Sequence, residues 1–250
     1  MIAWYGPFSR KGVPTRQTSQ STSVDFTRFT VDDIDGRHAT ALVAEHADED
    51  GTQLFSADPD GLAKEGRVLK WGTAAAFGDF DGDGGRDLAI GFEAPQEGDR
   101  LTVHYGNGSH AVFEGTGAAV AGDFNGDGRD DLAFGGRAYG WQPSTPPRIL
   151  WGGVGGLREG GAIGGMDDPA LAQGDVPPLA AGDYDGDGDD ELLLAAPING
   201  GLAINGDSVK IWVTDGRRML SSFLCGGKDR SWTASSSGWE RPVAPTCRSR

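Results

Sequence analysis

Sulfur is scarce in this chain: two cysteines, Cys225 and Cys247, and three methionines among 250 residues. Two late cysteines cannot make a disulfide framework and match no zinc spacing; one disulfide and a pair of free thiols stay equally open. The four histidines, His38, His46, His104 and His110, form no His-Glu-x-x-His pair, which removes that class of metalloenzyme. No run of about 18 apolar residues exists, so no membrane insertion is expected. Basic residues are also few: 22 Lys and Arg stand against 37 Asp and Glu, a net charge of −15. That balance excludes a phosphate-tracking nucleic-acid binder as the default reading. No P-loop occurs, and Ser109 beside His110 lacks the Gly-x-Ser-x-Gly elbow of a nucleophile. The start, Met1 to Pro7, has no charged leader ahead of an apolar core and does not read as a signal peptide.

Glycine is abundant instead, with 42 Gly and 13 Pro, about a fifth of the chain. Such density suits short strands joined by tight turns and argues against long helices. Three stretches superimpose without gaps: 78–88, 122–132 and 182–192. Each sits between two short apolar runs. Thr73 to Phe77 precedes the first and Leu88-Ala89-Ile90 follows it; Leu132-Ala133-Phe134 and Leu192-Leu193-Leu194 follow the others. A degenerate copy at 33–41 keeps Asp33 and Asp35 and the strand Ala41-Leu42-Val43 but lacks the later acids. The copies start at 33, 79, 123 and 183, a spacing that belongs to propeller blades and similar arrays. A third strand-like run closes each copy: 100–106, 147–152 and 209–213.

Eleven of the acidic residues stand at alternating positions of these loops. Positions 1, 3, 5 and 9 carry side-chain oxygens: Asp79, Asp81, Asp83 and Asp87; Asp123, Asn125, Asp127 and Asp131; Asp183, Asp185, Asp187 and Glu191. Position 7 (Gly85, Arg129, Asp189) offers its backbone carbonyl. Such a set, completed by water, suits a hard cation that takes six to eight oxygens, calcium before magnesium. Without a cation the clustered carboxylates would repel one another and take up protons or splay. Glycines at positions 4 and 6 let the chain curl. An EF-hand would need a bidentate Glu at position 12, where Ile90, Phe134 and Leu194 stand. The aromatic residues at position 2, Phe80, Phe124 and Tyr184, are expected to pack inward, and so are Trp4, Trp71, Trp141, Trp151 and Trp212. Asn107-Gly108-Ser109 matches a glycosylation sequon by pattern alone.

These loops, with Phe77-Gly78 before the first and Ala94-Pro95 after it, resemble the FG-GAP repeat of integrin α-subunit propellers and many secreted bacterial proteins. Ala196-Pro197 fills the same place after the third loop, whereas the second has Gly135-Gly136-Arg137. The resemblance covers about residues 20 to 220. It implies an all-β fold, a β-propeller or partial propeller of about four to five blades, with calcium in loops between strands at about three sites. It also implies a secreted or cell-surface setting. The family's propellers typically close with seven blades, so a fragment or partial ring is favoured. On this reading residues 1–224 form the propeller and 225–250 a poorly ordered basic tail. The expected function is a non-enzymatic, calcium-stabilised binding or adhesion module for a protein or carbohydrate ligand, whose surface lies on the opposite rim around Gly135 to Pro147. The alternatives are a glycan-active hydrolase or lyase, for which Glu93, Glu97 and Glu114 have no recognisable spacing, and an architectural domain of a longer protein.

Overall fold

A computed structural model describes residues 2–5, 7–19, 26–32, 41–46, 52–58, 61–63, 66–69, 73–92, 100–115, 117–136, 145–163, 176–197, 209–226 and 246–249. Strands and turns account for the described residues, without a helix. In chain order the strands are β1 (Ile2–Tyr5), β2 (Arg16–Ser19), β3 (Phe26–Asp32), β4 (Ala41–His46), β5 (Thr52–Phe55), β6 (Ala57–Asp58) and β7 (Gly61–Leu62). There follow β8 (Arg67–Val68), β9 (Thr73–Gly78), β10 (Asp87–Phe92), β11 (Arg100–His104), β12 (His110–Glu114), β13 (Ala118–Gly122) and β14 (Asp131–Gly136). The last are β15 (Thr145–Trp151), β16 (Arg158–Ala162), β17 (Pro178–Gly182), β18 (Glu191–Pro197), β19 (Val209–Thr214), β20 (Met219–Gly226) and β21 (Thr246–Ser249).

The same antiparallel sheet recurs four times. Its strand orders are β3-β4-β5-β8, β9-β10-β11-β12, β13-β14-β15-β16 and β17-β18-β19-β20, the last extended by β21. Two short hairpins, β1-β2 and β6-β7, stand outside these sheets. The all-β expectation is therefore met, and the apolar runs around each acidic loop are the first two strands of a sheet. Each run has a simple cause. Leu88, Ala89 and Ile90, and likewise Leu132, Ala133 and Phe134, are buried, so the second strand is apolar on both faces and shows no polar alternation. Each acidic loop is the turn between strands one and two. The degenerate copy has its strands in β3 and β4, but residues 33–40 lie outside the described residues.

The chain groups into two units, residues 1–115 with 154–156, and residues 116–153 with 157–250. In the first unit Leu54 of β5 packs with Leu88 and Ile90 of β10, and Leu69 and Phe77 lie against them. The second unit has the larger core. Ala133 and Ile149 from one sheet, with Phe124 from its acidic turn, meet Leu192, Leu194 and Trp212 from the next, with Ile163 and Val176. Each fully buried large side chain there contributes about 1.5–3 kcal/mol.

Position 2 of the loops divides. Phe80 and Phe124 are buried as expected, but Tyr184 is 54% exposed, which corrects the expectation for the third loop. Phe124 is covered by Leu192, Leu194 and Trp212 of the following sheet. Tyr184 stands in the turn of the last sheet of its unit, and among the described residues no further sheet of that unit follows it. Among the tryptophans Trp212 is buried and Trp151 packs at the edge of the same cluster; the side chains of Trp4, Trp71 and Trp141 lie outside the description. At the C-terminal end, Cys225 and Gly226 finish β20 and residues 246–249 form β21 against it. The rest of the expected tail, residues 227–245 and 250, is outside the described residues.

Candidate metal centre

The three loops share one hydrogen-bond scheme, built outward from position 1. Asp79 Oδ1 accepts the N–H groups of Gly82 (2.8 Å) and Asp83 (3.1 Å), and its Oδ2 accepts that of Gly84 (3.0 Å). Asp123 does the same for Asp127 (3.0 Å) and Gly128 (2.8 Å), and Asp183 for Gly186 (2.6 Å). The curl needs positive φ at positions 4 and 6, where glycine stands each time: Gly82 and Gly84 at 74° and 85°, Gly126 and Gly128 at 70° and 81°, Gly186 and Gly188 at 83° and 102°. Any other residue there would pay a backbone strain.

Position 5 holds position 7. Asp83 Oδ1 accepts from Gly85 N–H (2.7 Å), Asp127 Oδ1 from Arg129 (3.0 Å) and Asp187 Oδ1 from Asp189 (3.0 Å). Arg129 also reaches back, its Nη1 3.7 Å from Asp127 Oδ2. Position 3 bonds to position 5 in loops one and three, Asp81 Oδ1 from Asp83 N–H (3.1 Å) and Asp185 Oδ1 from Asp187 N–H (3.2 Å). In the second loop the residue is Asn125, whose Nδ2 turns instead to Asp131, at 3.1 Å from Oδ1 and 2.9 Å from Oδ2.

Position 9 is the deepest. Asp87 and Asp131 are fully buried, and Glu191 is 4% exposed. Each accepts the N–H of position 2: Phe80 to Asp87 Oδ2 (2.8 Å), Phe124 to Asp131 Oδ2 (3.1 Å), Tyr184 to Glu191 Oε2 (2.8 Å). Asp87 and Asp131 use their second oxygen to reach the end of the third strand, taking the N–H of Gly106 (2.8 Å) and Gly152 (2.7 Å). The corresponding glycine of the last sheet, Gly216, donates to Thr214 Oγ1 instead (3.0 Å). The next turn also contributes a residue the sequence left as a bare sequon. Asn107 Nδ2 donates to Asp81 Oδ2 (3.1 Å), and Ser109 N–H to Asn107 Oδ1 fixes the amide's orientation (2.8 Å). Its only advance signal was a glycine-flanked turn at a constant place after strand three.

Two convergent acid groups result. One oxygen from each of Asp79, Asp81 and Asp87 lies within 4.8 Å of the others, and the same holds for Asp183, Asp185 and Glu191. Both groups take positions 1, 3 and 9 and could hold a metal ion. Asp83 and Asp187 are outside these groups, each turned toward position 7. In the second loop, where Asn125 stands at position 3, only Asp123 and Asp131 supply carboxylates at these places.

The electrostatics follow from crowding. Burial raises Asp87 from 3.8 to about 7 against the N–H groups of Gly106 and Phe80, and repulsion from Asp81 and Asp83 adds to it. Burial likewise raises Asp131 to about 7, opposed by Gly152, Phe124 and Asn125 and reinforced by Asp123. Asp81 is raised by burial and by repulsion from Asp83 and Asp79, and Glu191 by burial and by Asp185 and Asp187. A cation would relieve these strains.

Loops two and three also touch. Asp190 N–H donates to the Asp123 carbonyl (2.8 Å), and Asp123 N–H donates to Asp190 Oδ2 (3.1 Å). A Cβ on Gly126 would run into the Asp189 carboxylate. Partial burial and repulsion from Asp187 and Asp123 raise Asp189. Elsewhere, Glu114 is exposed at the end of β12, and Glu93 and Glu97 lie outside the described residues, as do residues 137–144 of the expected ligand surface.

No protein-family model matches the chain, and a search of curated proteins finds no match.

Proposed function

We propose that this protein is a non-enzymatic binding module braced by calcium, its repeated sheets forming a propeller or partial propeller of the FG-GAP type. One observation carries the metal reading: carboxylates at positions 1, 3 and 9 converge within 4.8 Å in two separate loops of the same design. The donors are all oxygen, with no His or Cys in either group, which suits a hard cation. Calcium fits better than magnesium because it accepts many oxygens in irregular geometry and needs fewer retained waters. Asp79, Asp81 and Asp87 would hold one ion and Asp183, Asp185 and Glu191 another; Asp123, Asn125 and Asp131 would form the third site, with a neutral member. Bound ions would neutralise the carboxylates that crowd each turn and stabilise the folded state by mass action, about 2.7 kcal/mol per site at a hundredfold excess over Kd.

The repetition of the sheets supports the same reading. Four successive antiparallel sheets, three of four strands and the last of five, with one sheet's core cluster shared with the next in the second unit, are in keeping with blades. Weak calcium affinity, with Kd of about 10⁻⁴ to 10⁻³ M, would suffice outside the cell. A protein or carbohydrate ligand would then be met on the rim opposite the acidic turns. The test is calorimetric titration of chelator-treated protein with calcium and with magnesium, alongside D79N/D81N. Calcium heats for two to three sites, lost at one site in the double variant, are expected. A melting temperature and heat signal indifferent to calcium would sink the reading.

A further inference from the structure

The last two strands bring the chain's only two cysteines opposite one another. In the β20-β21 ladder four consecutive pairs run without a shift: Phe223 with Ser249, Leu224 with Arg248, Cys225 with Cys247, and Gly226 with Thr246. Directly opposite residues of an antiparallel pair sit about 4.5–5.5 Å apart at Cα and share a face. A disulfide needs a Cα separation of about 4.4–6.8 Å. A slip of one residue would put the two on opposite faces, so the observed register is the one that permits the bond. We propose that Cys225 and Cys247 form a cross-strand disulfide that fastens β21 to β20.

The chemistry needs an external disulfide as oxidant, such as oxidised glutathione or an oxidoreductase of the export pathway. The thiolate of one cysteine attacks the oxidant's sulfur, forming a mixed disulfide and expelling one glutathione thiolate. The second cysteine's thiolate then attacks the protein-side sulfur, closing the Cys225–Cys247 bond and releasing the second glutathione. Two electrons pass from the protein thiols to the oxidant, and two protons leave with them. Ladder neighbours meet at high effective concentration, which favours the internal bond over a bond between molecules. Such a link persists in oxidising compartments and not in a reducing cytosol. It is independent of the calcium reading, since thiol mapping and metal titration can each fail alone.

The test uses the full-length chain, folded in a glutathione redox buffer, alkylated in the folded state and mapped by mass spectrometry. The expected product is a monomer lighter by two hydrogens, with one cross-linked peptide pair carrying Cys225 and Cys247. Alkylatable thiol should fall about tenfold or more against the reduced control. C247S should leave Cys225 alkylated and abolish the cross-link without dimerisation. Two outcomes overturn the proposal: both wild-type cysteines fully alkylated at that redox poise, or a bond formed between chains.

Discussion

Position 9 of each acidic turn spends its oxygens on the main chain as much as on any ion. Asp87 holds two N–H groups, those of buried Phe80 and of Gly106, whereas Glu191 holds those of Tyr184 and Asp185, both on an exposed loop. Removing the buried acceptor leaves donors unpaired at about 1–3 kcal/mol each. D87A should therefore lower the unfolding free energy by about 2–4 kcal/mol, and E191A by about 1 kcal/mol, in urea denaturation. Equal losses would refute the claim that burial of the donors sets the cost. The same acids set a pH dependence. Asp87 and Asp131, near 7 when ion-free, bind protons in the folded state that the unfolded chain has already released above about 4. Stability from this source is complete below the unfolded value and is lost as pH rises through about 7. The urea midpoint of chelator-treated protein should thus be higher at about pH 5 than at about pH 8, and saturating calcium should abolish the difference. A midpoint that climbs with pH in chelator would contradict it.

Two elements, the second and third acidic turns, are bound together through Asp190. D190A removes the Oδ2 acceptor of Asp123 N–H but keeps the reverse main-chain bond. It should cost about 0.5–1.5 kcal/mol and weaken calcium at the second loop, where Asp123 is the position-1 acid; calorimetry of D190A against wild type would reveal an unchanged second site if the tie is idle. Much of each turn could be read in advance, because Gly at positions 4 and 6 and oxygen at 1, 3, 5 and 9 are local rules of backbone conformation and ligand type. What could not be read was the division of labour among those oxygens. Whether Asp83 faces an ion or the N–H of Gly85 depends on the curl of the turn, and Asn107 enters only because strand three ends beside it. The exposure of Tyr184 was hidden for the same reason, since burial depends on which sheet follows.

At the scale of the molecule, the first three strands of the last three sheets were legible from apolar and strand-like runs recurring at the repeat spacing, whereas the fourth strands, β12, β16 and β20, carry no such run. The grouping into two units was not, because it depends on packing between distant segments such as 154–156 and residues 1–115. If ions brace these sheets together, chelation should lower the melting temperature of the whole chain, by several degrees for each 2–3 kcal/mol withdrawn. Calorimetric scans with and without chelator would measure this, and coincident curves would refute it. The bonds from Asp87 to Gly106 and from Asn107 to Asp81 have a further consequence for protein engineering. They lock the β9-β10 and β11-β12 turns to each other, so neither can be lengthened alone. Connections at the strands' other ends, 93–99, 137–144 and 198–208, already differ in length. Foreign epitopes grafted there would leave the carboxylate cradles untouched, making that side the natural place to display a peptide on this scaffold.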